Sequence, residues 1–235
     1  MRLEVTHQER YSRGQLLLRT ILGFFYIFLP HMFVLFFMGL WGAILGFIAF
    51  WVVLFTGKYP QSMFEYQAGL IRWNLRLSAR MFHLADGYPA FGINATDDKV
   101  VFEVENPERI SRGLVLIRLF FGIFYVLIPH GFVLFFYWIW VSILMFLAWW
   151  IVLFTGKYPA SFHKDVVGFL RWNERVNLYM GFMTDKYPPF TGAVLPDEMP
   201  PADPNQFVAP EPPTPVGTAP EEPVPGEVIH EDPKE

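Results

Sequence analysis

Two stretches, residues 16–55 and 115–154, are each forty positions long, and the only charged side chains inside them are Arg19 and Arg118. At ~1.5 Å of rise per residue, forty residues are about twice what one helix needs to cross a ~30 Å hydrocarbon layer. Each block is therefore expected to form a transmembrane helical hairpin, about 14–56 and about 113–155. Equal division puts the turns near 37–41 and 136–140, where Trp41, Tyr137, Trp138 and Trp140 would mark an interface. The other division puts them at Pro30 and Pro129, each opening a second helix. A cleaved signal peptide, whose apolar core is only roughly 7–15 residues, does not fit.

Both blocks close on LFTGKYP, at 54–60 and 153–159. A Walker phosphate loop would require an upstream glycine, a preceding strand and Ser or Thr after the lysine. Here tyrosine follows the lysine and apolar helix precedes it, so the heptapeptide reads as a membrane exit. Gly57 is expected to end its helix in a left-handed cap, with Lys58 and Lys157 extended to the headgroups and Pro60 starting the next helix.

The segments that follow, about 60–84 and about 159–183, have helical periodicity with a narrow polar stripe. Glu65, Arg72, Arg76 and Arg80 share one face, flanked by Phe64, Ala68, Leu75, Trp73 and Leu77. In the second copy Arg171 and Arg175 keep that face and Tyr179 takes the place of the third arginine. Three arginines at bilayer depth would cost about 2.5 kcal/mol or more each, so these segments are expected to lie in the interface as amphipathic helices. Asn74 and Asn173 fall on the opposite side and are expected to be buried against the hairpin. Brief alternating runs in RLEVTHQER and VVFEVENPER read as short strands, pairing with each other or with the YPAF and YPPF turns.

Shifting the chain by 99 residues lays 3–93 on 102–192 without a gap, with 44 of 91 positions identical. The chain is thus two tandem repeats in the same orientation, 1–94 and 100–193. Residues 194–235 are rich in Pro and Glu, too poor in apolar surface to offset the cost of ordering, and are expected to be a disordered tail. The fold class is accordingly an all-α membrane protein of two parallel hairpin repeats, with short strands before each hairpin.

Every Lys and Arg lies outside the two blocks or near a block's start, which places both termini in the cytoplasm. The net charge of −4 conceals a basic body and an acidic tail. With no cysteine, disulfides, thiolate metal sites and thiol nucleophiles are excluded. No catalytic residues, metal site or cofactor are assigned, and the acidic tail argues against nucleic acid. The residues assigned to lipid headgroups, anionic phospholipid above all, are Lys58, Arg72, Arg76, Arg80, Lys157, Arg171 and Arg175.

Arg19, His31, Arg118 and His130 are the polar candidates inside the blocks. The arginines can snorkel and the histidines can hydrogen-bond across a hairpin, or the four can line the path of a small transporter or channel. A histidine site for haem or chlorophyll is a third reading. Asp86 and Asp185, in D-x-Y-P, read as turn residues. The expected role is a non-enzymatic scaffold or accessory protein, with a soluble partner on the tail and a homo-oligomer as further possibilities.

The ordered series LFTGKYP, RWN and D-x-YP-x-F resembles the uncharacterised bacterial membrane family catalogued as domain of unknown function 4389, in two copies covering about 190 of the 235 residues. The resemblance implies a multi-pass protein of the bacterial inner membrane. It supplies no reaction and no catalytic residues.

Overall fold

The computed structural model describes residues 1–199; most of the expected tail, 200–235, lies outside the described residues. The chain runs β1 (Arg2–Val5), α1 (Arg13–Gly23), a π-helical turn (Phe24–Phe28), α2 (Leu29–Thr56) and α3 (Gln61–Met81). The second repeat gives β2 (Val100–Glu103), α4 (Arg112–Gly122), a π-helical turn (Ile123–Leu127), α5 (Ile128–Thr155) and α6 (Ala160–Met180), followed by a 3-10 turn at Pro196–Glu198.

Neither apolar block turns back on itself, which corrects the expected hairpins and the four crossings they implied. Arg13–Thr56 and Arg112–Thr155 are each one continuous helical run of 44 residues, long and apolar enough to cross a membrane by length and composition. Positions 37–41 and 136–140 lie inside α2 and α5. The physical reason is local: those positions carry no proline, Asn or Asp to reverse the chain. Pro30 and Pro129 fall in the first turn after each π-helical turn, where the register change accommodates a missing N–H. The expected glycine caps are present, Gly57 at φ 72° and Gly156 at φ 71°.

The two long runs join at both ends. Tyr11 N donates to Gly156 O and Arg13 Nη2 to Phe154 O, while Ile110 N donates to Gly57 O. Straight helices that touch at both ends touch all along, yet here α1 meets α5 and α2 meets α4, whereas the middles of α2 and α5 face α3 and α6 instead. Each long run is therefore bowed outward around its own short helix. The π-helical turn and the proline beside it are the ordinary causes of such a bend.

The same geometry separates the faces. Toward α3 the first bow presents Arg19, Ile27, His31, Leu35, Met38 and Gly42. On its opposite face Ile21, Phe25, Leu29, Phe33, Phe36, Leu40, Ile44, Phe47, Trp51 and Phe55 stand exposed. Successive members are three or four residues apart, and every step across the π-helical turn is four, so the extra residue of the turn keeps the ridge on one face. Adding 99 to each number gives the ridge of the second bow, from Phe120 to Phe154, also exposed at all ten positions.

The expected short strands form, and they pair with each other across the repeats, antiparallel, with Leu3 opposite Phe102. Since 3 + 99 = 102, the two-fold pseudo-symmetry axis passes through that pair. The axis also exchanges the Tyr11–Gly156 junction with the Ile110–Gly57 junction. Around it a core gathers Leu3, Leu16, Val53, Phe64, Leu75, Val115, Val152 and Leu178 from both repeats. Near each bow's midpoint a smaller cluster packs, Ile27, Leu35, Trp73 and Leu77 in one and Val126, Trp172, Val176 and Tyr179 in the other.

Val194–Met199, expected at the start of the tail, is partly built into the body: Glu198 is buried and pairs with Arg175 at 2.6 Å. The backbone reaches this position through a close approach, because a Cβ on Gly192 would strike the Gly168 carbonyl and lie 2.8 Å from its Cα. Gly192→Ala is expected to cost about 1–3 kcal/mol of stability, read as a lowered thermal midpoint in mild detergent.

Candidate functional site

Arg19 and Arg118 do not snorkel. Each turns inward from its bow and is buried. Arg19 Nη1 donates to Arg80 O at 2.9 Å and to Ala85 O at 2.7 Å, and Nη2 donates to Asp86 Oδ1 at 2.6 Å. The second carboxylate oxygen of Asp86 accepts Ser12 N, at the N-cap of α1. Arg118 repeats the arrangement with Tyr179 O, Thr184 O and Asp185, whose other oxygen accepts Ser111 N. The guanidinium also lies 4.1 Å from the ring centre of Tyr179. The aspartate of D-x-Y-P, read from sequence as a turn residue, thus fastens the end of the short helix to the start of its bow. The signal was available: Arg and Asp recur at the same separation, 67 residues, in both copies.

His31 and His130 are enclosed, each with no exposed surface. Trp73 Nε1 donates to His31 Nδ1 at 2.8 Å, and Trp172 Nε1 to His130 Nδ1 at 3.0 Å. Nδ1 is therefore the acceptor and Nε2 carries the proton. Phe91 and Phe190 stack on the two imidazoles at 3.8 and 3.9 Å. The copies differ at the outer nitrogen: His130 Nε2 meets Tyr187 Oη at 3.1 Å, whereas His31 Nε2 has no partner. This is the R-W-N and Y-P-x-F signature in three dimensions, a clamp between the bow's midpoint, the short helix and the loop after it. Trp73→Phe keeps the ring and removes the donor, and is expected to cost about 1–3 kcal/mol. Chemical unfolding followed by tryptophan fluorescence checks it.

Four of the arginines assigned to headgroups are used inside the protein, which corrects that assignment. Arg76 donates to Ala95 O and Gly92 O; Arg80 pairs with Asp97 at 2.8 Å. Arg171 donates to Gly192 O and Leu3 O, and Arg175 to Thr191 O, Ala193 O and Glu198. The loops between the helices lack regular backbone pairing, and the guanidinium forks satisfy their carbonyls. Arg72 is partly exposed beside Glu65, while Lys58 and Lys157 at the two junctions are exposed. Asn74, expected to be buried, is exposed.

The residue pattern held no warning of Glu174. It is buried where the first repeat has the core residue Leu75. Burial pushes its carboxyl up to about 7, against opposing hydrogen bonds from Asn177 and Asn173. Nor did it show a cleft of about 770 Å³ between β1, the start of α6 and residues 191–194. Its walls include Glu4, His163, Lys164, Asp165 and Arg171. Burial lowers His163 to about 4, so two cations face two carboxylates and no net charge selects an ion. Among the described residues no group of three or more His, Asp or Glu is placed to hold a metal.

These features define a class: a mostly helical tandem repeat, pseudo-two-fold, with two long apolar helices each clamped to a short polar one. The chain belongs to the family described as domain of unknown function (DUF4389), whose pattern matches residues 14–92 and 114–192. Each match runs from the start of a bow to the loop carrying Phe91 or Phe190, so the Arg–Asp tie and the histidine clamp both fall within it. No curated protein and no solved structure matches the chain.

Proposed function

We propose that this is an integral membrane protein acting as a scaffold or accessory protein at the cytoplasmic face of a bacterial inner membrane, with no reaction of its own. One observation carries the membrane reading: the ten-position apolar ridge present in both copies, exposed from end to end and free of charge. Apolar patches on soluble monomers rarely exceed a few hundred Å². Two ridges of this length are suited to hydrocarbon. The charged and polar groups of the blocks are occupied in holding bow to short helix, which favours a structural role for them. Of the side chains expected at headgroups, Lys58 and Lys157 are exposed at the junctions and Arg72 is partly exposed, and these three are proposed to meet anionic headgroups. The acidic, proline-rich C-terminal segment is proposed to reach soluble partners.

Expressed in a bacterial host, the protein is expected in the membrane fraction, to stay there through carbonate and high salt, and to leave it only with detergent. Release by salt alone, or recovery in the soluble fraction, would refute the proposal.

A further inference from the structure

We infer that the two bows lie in the plane of a single leaflet and that neither crosses the bilayer; this rests on the membrane reading above. The symmetry carries the argument. If the bows crossed, one junction, with Arg13 and Lys157, would lie on one side of the membrane, and the other, with Arg112 and Lys58, on the far side. The axis that exchanges the junctions would then lie in the bilayer midplane.

The β1–β2 sheet straddles that axis, at the Leu3–Phe102 pair. A crossing orientation therefore holds the sheet at the depth of the hydrocarbon centre. Its surface carries Arg2, Glu4 and Glu103, with side chains 31%, 47% and 64% exposed. Charges at that depth are strongly disfavoured.

Setting the axis along the membrane normal removes the conflict. The sheet then faces water, and both junctions, with their lysines, reach the same interface. The ridges point outward around the rim of the molecule, since each lies opposite the positions that grip α3 or α6. Length agrees as well. From Ile21 to Phe55 the ridge spans 34 steps, ~51 Å of helix path, against a ~30 Å hydrocarbon layer. A helix lying in the plane has no thickness to match. The occupant of the rim is thus the acyl-chain region of one leaflet.

The chain has no cysteine, so single-site labels can be placed without background. Phe25→Cys, Phe36→Cys and Phe47→Cys sit at exposed ridge positions that do not support the core. Each full-length variant is spin-labelled and reconstituted into vesicles of phosphatidylethanolamine and phosphatidylglycerol, and depth is read from the ratio of oxygen to nickel-chelate accessibility. Three equal depths, within about 5 Å (one helical turn) and all inside one leaflet, are expected. A graded series passing through the bilayer centre would overturn the in-plane arrangement while leaving the membrane reading intact. Labels with no lipid contact, wet or broadened by a neighbouring label on a second copy, would overturn both.

Discussion

Asp86→Ala is expected to destabilise the protein by about 3–5 kcal/mol, because it leaves the Arg19 guanidinium buried with its countercharge removed. The Arg19 side chain is 2% exposed and Asp86 11%, so water does little to screen the loss. The same substitution unties Ser12 N at the start of α1. Asp185→Ala should cost less, since Asp185 is 31% exposed and solvent can reach the vacated site beside Arg118. Thermal unfolding of both variants in the same detergent gives the order directly. The double change Arg19→Met with Asp86→Leu should recover much of the loss, because no unpaired charge then remains. If Asp86→Ala unfolds like the parent protein, the tie between short helix and bow is not a major source of stability.

The second large effect concerns pH. The Glu174 carboxyl is raised from 4.5 to about 7 in the folded chain, chiefly by burial. The folded state therefore holds this proton more tightly than the unfolded state does. The stability this gives is fully present below about pH 4.5 and is lost as pH rises through about 7, the loss reaching on the order of 3 kcal/mol above it. Glu174→Gln keeps the shape and the hydrogen bonding but cannot ionise. Its stability should exceed that of the parent at pH 8 and converge with it near pH 5. Parallel curves across that range would show that Glu174 is not the group responsible.

Much of the architecture was legible because the chain states it twice. The 99-residue offset, the glycine caps at Gly57 and Gly156, the helices after them and the pairing strands all follow from local chemistry and repetition. The hairpins do not form, because neither the length of a block nor the basic residues flanking it distinguishes a turn from a longer helix. The segment Met38-Gly39-Leu40-Trp41 has a single glycine and no Pro, Asn or Asp, and its counterpart Tyr137-Trp138-Ile139-Trp140 lacks even the glycine; that weighs more than the thickness of a bilayer.

The inward role of the arginines is hidden from the sequence for a different reason. A basic stripe on an amphipathic helix looks the same whether it faces headgroups or the carbonyls of a loop. Only the path of residues 92–97 and 191–198 decides, and that path is tertiary. Glu174 and the cleft beside β1 are likewise invisible without it, since both depend on which residues the axis brings together.

The Leu3–Phe102 pair has a consequence for the minimal unit. Half of the chain supplies one strand without a partner, one bow with two unfinished ends and half of a shared core, so a lone copy cannot close. A protein built from one such copy would need a twin beside it. The duplication here amounts to a dimer whose subunits have been joined by a short covalent link.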